Sequence, residues 1–303
     1  MRQFKLLVLL VIIGIFSVSC TRDKGPLGSE TNPVKFFFVP SVDAKVLTEK
    51  TKHLKTYLEQ NTKYKFKIQV PTSFVAVVEA FGTSRADVAS VNTFGYILAH
   101  EKYGAEALLT VERFGHTDYK GQFITRSDSK ISSISDIAGK KIAYVDPAST
   151  SGYLLPATML KKASIKPAEM MFATRHDNVV TMVRERQVDV GATFYSPPEE
   201  GKIQDARRLV LTQFPEIEKE VKILELTDAI PNDPIVFRKG MPAEMKTEIQ
   251  EALLAYVGTE EGKANFHEMY GVTNFTKATD KNYDGVREIL KSLGKSASDL
   301  VKK

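Results

Sequence analysis

Lys141-Ile142-Ala143-Tyr144-Val145-Asp146-Pro147-Ala148-Ser149-Thr150-Ser151-Gly152-Tyr153 is the stretch on which the reading of this 303-residue chain turns. Residues 141–145 read as a strand, and residues 154–162 read as a helix. Three consecutive hydroxyl residues therefore stand where a strand ends and a helix begins. A helix start offers backbone N–H groups without intrahelical partners, together with the positive end of the helix dipole. Hydroxyl donors added to such a start make a neutral cradle suited to a tetrahedral oxyanion such as phosphate or a phosphonate. A single Ser or Thr would be an ordinary N-cap. Three in a row, followed by Gly152, point to an anion site.

Working outward, strand and helix signals alternate along the chain. Strand-like runs lie at 34–39, 66–70, 87–91, 107–114, 121–126, 142–145, 171–173, 188–194, 208–211 and 235–238. Helical periodicity marks 44–60, 74–81, 94–103, 178–186, 243–257, 260–269 and 283–293. This pattern predicts an α/β fold with helices covering mostly parallel sheets. Several strands run into a capping residue that opens a helix: Ser41, Thr72-Ser73 before Phe74, Asn92-Thr93, and the Ser149 run. In open α/β sheets ligands bind in the crevice beyond the carboxyl ends of the strands. Ser41 and Asn92 thereby join the candidate ligand-binding residues.

The amino terminus reads as a targeting segment over residues 1–19. Arg2 and Lys5 precede an apolar core at 6–16, too short for a spanning helix. Small residues then lead to Cys20, the single cysteine of the chain, in the manner of a lipoprotein signal whose cysteine becomes the lipidated first residue. Ser17 stands where that pattern prefers Leu. Lipidation would leave no thiol for a disulfide, a metal or nucleophilic catalysis. Residues 20–33, with Gly25, Pro26, Gly28 and Pro33, read as a flexible tether. Without Arg2 and Lys5 the mature part carries forty basic against thirty-seven acidic residues. That mixed surface lacks the basic block of a nucleic-acid binder.

With these residues laid out, the chain resembles the phosphate/phosphite/phosphonate-binding proteins of ABC transporters, over about 34–270. The resemblance is carried above all by 146–153 with Pro156. It implies a two-lobed periplasmic-type receptor (type II-like) with lobe 1 at 34–114 plus 231–303, lobe 2 at 115–230, and a hinge of two crossings. In that family the hydroxyl run wraps the phosphonate oxygens, a role that falls to Ser149, Thr150 and Ser151. His176 in Arg175-His176-Asp177-Asn178 and Tyr119 are similar to further donors, and Asp233 in Pro231-Asn232-Asp233-Pro234 to a pocket carboxylate. Phe74 stands where aminoalkylphosphonate binders carry a hydroxylated aromatic, and Ser196 where they carry a carboxylate for the amine. Glu199 and Glu200 lie close by in sequence. The resemblance implies a lipid-anchored receptor on the periplasmic or cell-surface side, a monomer partnered by a permease and ATPase, with a small anion as its ligand and no cofactor. Its oxyanion half looks kept, and the half that meets the rest of the ligand looks rewritten.

The alternatives are a sensor of the same fold that reports to a signalling partner, and a hydrolase using a serine of the run with His176 as base. The five histidines lack metal-ligand spacing, and no Walker loop, nucleophile elbow or dinucleotide fingerprint is present. With no Arg or Lys inside the run, neutral donors rather than a basic clamp are expected to hold the anion.

Overall fold

The computed structural model of the chain describes residues 25–292. The expected leader and the Cys20 lipidation site lie outside the described residues. The first part runs β1 (Val34–Phe38), α1 (Ala44–Asn61), β2 (Phe66–Gln69), α2 (Phe74–Gly82), β3 (Val88–Ser90), α3 (Thr93–Tyr103) and β4 (Glu106–Glu112). The middle follows as β5 (Asp118–Arg126), β6 (Lys141–Tyr144), a π-turn at Thr150–Leu154, α4 (Leu155–Lys162), β7 (Glu169–Phe172), α5 (His176–Arg184) and β8 (Val190–Tyr195). It continues through α6 (Ile217–Glu220) and β9 (Val221–Pro231). The end comprises β10 (Pro234–Phe237), α7 (Ala243–Gly258), α8 (Glu260–Tyr270), β11 (Asn274–Lys277) and α9 (Asp284–Ser292).

Two mixed sheets result, ordered β11-β4-β10-β3-β1-β2 and β7-β6-β8-β5-β9. β1 pairs in parallel with β2 and β3, while β10 runs antiparallel between β3 and β4. β6 pairs in parallel with β7 and β8, and β5 runs antiparallel between β8 and β9. Side-chain alternation decides what each face buries. Phe36 and Phe38 pack with Leu54 of α1, Leu253 of α7 and Phe266 of α8. Phe37, between them, packs on the opposite face with Val77 of α2 and Phe94 of α3. In the second sheet Phe123 and Ile124 divide in the same way.

The helices start where the sequence supplies a cap. The Asp43 carboxylate accepts from the backbone N–H groups of Lys45 and Val46, and Ser73 accepts from Ala76 N. α3 ends at Gly104 in the left-handed conformation, which costs glycine nothing.

Two expectations give way. The segment read as a strand at 208–211 lies instead in a 3-10 turn, Ala206–Val210. Asp205 caps that turn through Arg207 N and also holds the Arg207 guanidinium with both carboxylate oxygens, so the local contacts outweigh β-propensity. The tether expected at 20–33 is, from residue 25 onward, docked on the body. Gly28 accepts from Lys65 N at 2.7 Å and donates to Asn32 O, and Leu27 packs against the core. Gly28 sits at φ +88° with the Tyr64 ring against its Cα, where a Cβ would lie 2.6 Å from Cδ1. No pattern in the sequence signalled β9 or β11, whose burial alternates weakly.

The sheets are joined by two short connections, 113–117 and 232–233, stitched side by side. Asn232 donates from its side chain to His116 O (2.8 Å) and from its backbone to Thr117 O (3.0 Å). Val111 N donates to Asp233 O at 3.0 Å. Among the described residues no helix is long and apolar enough to cross a membrane.

Candidate functional site

A cleft between the two sheets collects residues from both. The π-turn supplies Ser149 and Ser151, the first residue of α5 supplies His176, and β5 supplies Tyr119. From the other side come Ser41, Phe74 and Asn92 at helix starts, and Asp233 on the second connection.

The turn geometry follows from sequence. Ser149 caps it, its Oγ accepting from Gly152 N at 3.1 Å. Gly152 is required, because a Cβ there would lie 2.4 Å from Val145 Cγ2. Gly121 of β5 passes beneath, and a Cβ on it would lie 2.9 Å from Ser151 O. The turn thus rests directly on the sheet.

Thr150 does not line the cleft. Its hydroxyl points across to the other lobe and accepts from Phe94 N (2.9 Å) and Asn92 Nδ2 (3.1 Å). Asn92 Nδ2 also donates to Ala148 O at 2.7 Å, and His176 N donates to Ser41 O at 3.3 Å. Arg175 reaches Asp43 at 3.2 Å. The lobes therefore touch through the same segments that line the cleft. Ser196 is buried but stands away from the cleft, and Glu199, in a backbone β-bridge with Lys202, is not among the residues that line it.

His176 is fully enclosed. Its ring meets Phe194 edge-on at 4.9 Å, and its Nδ1 lies 2.7 Å from Thr193 Oγ1. Burial, and secondarily the charge of Arg113, push its pKa down to about 3, so the ring is neutral at physiological pH. Burial, then the Asp233 charge, raise the Tyr119 phenol, which keeps its proton and neighbours Ser151 and Thr150. Asp146, beneath the turn, is raised chiefly by burial and accepts from Ala148 N at 2.8 Å. A hydrolytic arrangement is not formed. His176 is bonded to Thr193 rather than to a serine, and Asp177 is taken up by both ends of the Arg175 guanidinium.

Sequence reasoning missed two arginines that line the cleft, Arg113 and Arg208. Arg113 is fully engaged: Nε donates to Tyr270 O, one terminal nitrogen to Asn232 Oδ1 (2.8 Å) and the other to Asp233 Oδ2 (2.7 Å). Its guanidinium also sits 5.3 Å from the Tyr119 ring centre. Asp233 is thereby a partner for arginine, with Tyr119 Oη 3.5 Å away. Among the described residues Arg208 has no such partner, and its Nε is buried without a hydrogen bond. The expectation of purely neutral donors therefore describes the hydroxyl turn but not the cleft as a whole. The charged residues lining it are Arg113, Asp233 and Arg208, which sum to one positive charge. No signal in the local sequence marks these arginines, since one ends a strand and the other lies in a segment that reads as a strand. Among the described residues no cluster of three or more His, Cys, Asp or Glu could hold a metal ion.

The family described as ABC transporter, phosphonate, periplasmic substrate-binding protein matches residues 36–283. The phosphonates-binding periplasmic protein of Escherichia coli (strain K12) is 22% identical over 293 residues, covering 94% of this chain and 84% of that protein. A phosphate-import protein of Mycolicibacterium smegmatis is 27% identical over 151 residues, 45% of this chain and 47% of that one. PhnD1 of Prochlorococcus marinus (MIT 9301), solved in complex with methylphosphonate, superposes with a TM-score of 0.74 at 18% identity. That superposition covers 86% of this chain and 98% of the other, a likeness of fold.

Proposed function

The chain belongs to the family of periplasmic substrate-binding proteins of phosphonate ABC transporters, and from that premise we propose that it captures a small phosphorus oxyanion between its lobes. Phosphonate, phosphite and phosphate all fit the donor set. The observation that carries this reading is the convergence of Ser149, Ser151 and His176 on one cleft at the start of a helix. Those donors are neutral, so the oxyanion is held by hydrogen bonds rather than by a cationic clamp. A Thr193 hydroxyl donating to Nδ1 of His176 would leave the ring proton on Nε2, available to the ligand. Thr150 serves differently, by fastening the turn to the amino terminus of α3 when the lobes are together.

The same geometry argues against an amine on the ligand. Asp233 is occupied by Arg113, Ser196 is off the cleft, and Phe74 offers no hydroxyl. An ammonium would enter without a counter-charge, at a desolvation penalty of several kcal/mol. Ligand binding would draw the lobes together by a hinge motion at the two connections, and the closed form would dock on a permease. Anchoring by a lipidated Cys20 belongs to the same proposal.

The test is calorimetric titration of protein freed of ligand by partial unfolding and refolding. Methylphosphonate, phosphite or phosphate is expected to bind at least about tenfold tighter than 2-aminoethylphosphonate. A preference for the amine-bearing ligand would overturn the assignment of the cleft's far end. Cys20→Ser should abolish lipid labelling, and labelling that persists would refute the anchor.

A further inference from the structure

We infer that Arg208 is a specificity residue for a second acidic group on the ligand: the solute is a phosphorus oxyanion whose substituent carries a carboxylate or another acid. This rests on the phosphorus-oxyanion reading above and narrows it to one chemical class.

Arg208 stands out against its neighbour. Arg208 is part-buried, whereas Arg207 is buried, with both oxygens of Asp205 holding it and Val221 O accepting from its remaining nitrogen. Arg208 points into the cleft instead, and no carboxylate of the described residues lies within ion-pair distance of it. Its Nε is buried and unsatisfied. A buried charge without partner or hydrogen bonds is costly. The Asp205 carboxylate is already spent on Arg207, and Asp233 on Arg113.

Its position separates it from the oxyanion donors. The guanidinium lies against the end of α8, where a Cβ on Gly271 would be 3.4 Å from its terminal nitrogen. Burial and then the charge of Arg113 lower the Arg208 pKa, and Arg208 in turn disfavours protonation of His267 of α8. Tyr119 and His176, beside the hydroxyl turn, feel the charge of Arg113 and not that of Arg208, and Arg113 is the one paired with Asp233. A ligand anchored through phosphorus at the turn would place its substituent toward Arg208. A planar fork of N–H donors suits a carboxylate or a second phosphoryl group, and it repels an ammonium. The substrate class is therefore an acid-bearing phosphonate or phosphate ester, the charge inverse of an aminoalkylphosphonate.

The experiment titrates the full chain in detergent, freed of ligand by refolding, with phosphonoacetate, 3-phosphonopropionate and methylphosphonate as probes. At least one acid-bearing probe should bind about tenfold or more tighter than methylphosphonate. Arg208→Gln should erase that preference, weakening the acid-bearing probe by about 10- to 150-fold and methylphosphonate by less than about threefold. Arg208→Gln should also melt no lower than the parent chain, since it removes an unpaired charge. If that variant does not fold, Arg208→Lys replaces it. Lys keeps the charge but not the fork, so the preference should shrink severalfold while methylphosphonate affinity holds. Equal loss for all probes in the variant, or no preference in the parent chain, would overturn the inference while leaving the oxyanion reading intact. Failure of every phosphorus acid to bind would overturn both.

Discussion

The two ends of the cleft are built on opposite principles. At one end Ser149 and Ser151 come from a single turn of chain, and with His176 they form a donor set without net charge. At the other, Arg113, Arg208 and Asp233 come from three distant segments and carry formal charges that two of them cancel. The neutral end pays its desolvation once, on folding, and can take any tetrahedral oxyanion. The charged end leaves one cation uncompensated, which is where discrimination among substituents can reside. On the proposed reading, general affinity and selectivity are physically separate in one pocket.

Breaking the charged end should produce the largest effect. Asp233→Asn leaves the part-buried Arg113 guanidinium beside Arg208 without its carboxylate, which is expected to cost about 2–3 kcal/mol. Urea denaturation should show that loss. A change below about 1 kcal/mol would mean that Asn232 and Tyr270 O suffice to hold Arg113. The neutral end should respond in affinity instead. Ser151→Ala is expected to weaken methylphosphonate binding by about 10- to 150-fold with little change in melting temperature. Unchanged affinity by calorimetry would remove Ser151 from the cradle.

Thr150→Val sharpens the contrast within the turn itself. Because its hydroxyl accepts from the other lobe, the substitution leaves Phe94 N–H and Asn92 Nδ2 short of an acceptor, at about 1–3 kcal/mol. Small-angle scattering should then show a more open ligand-bound form than for Ser151→Ala. Equal compaction of the two variants would deny Thr150 its bridging role.

The smallest effect concerns His176. Its folded-state pKa is depressed to about 3, while in the unfolded chain it titrates near the ordinary histidine value of 6.5. Below 6.5 the unfolded state binds a proton that the folded state refuses, so this stability is present above that pH and lost as pH falls toward 3. At pH 6 the loss is under about 1 kcal/mol, and it grows on further acidification. Urea midpoints at pH 7.5, 6 and 5 should fall more steeply for the parent chain than for His176→Gln. Parallel slopes would show that the ring is not held neutral by its surroundings.

Thr150 and Arg113 mark how far the sequence could be read. A run of three hydroxyls at a strand–helix junction is visible as a string, since it requires only local backbone geometry. Which hydroxyl faces the cleft depends on the π-turn, whose wider winding points Thr150 at the opposite lobe. Arg113 and Asp233 lie 120 residues apart, and nothing near either one announces the other. The strand reading at 208–211 failed for a different, local reason. The Leu and Val of this segment suggest a strand, while the Asp205–Arg207 contact winds it into a turn.

The α/β class, most of the strands and helices and the capped helix starts were legible in the sequence, because periodicity and caps act over a few residues, while β9, β11 and the turn at 206–210 were not. The pairing of charges, the direction of Thr150, the docking of residues 25–33 on the body and the isolation of Arg208 were decided only by tertiary structure. Each depends on how far apart, and in how little water, groups from different segments come to lie. Coulombic and desolvation energies are set by those distances and not by position along the chain.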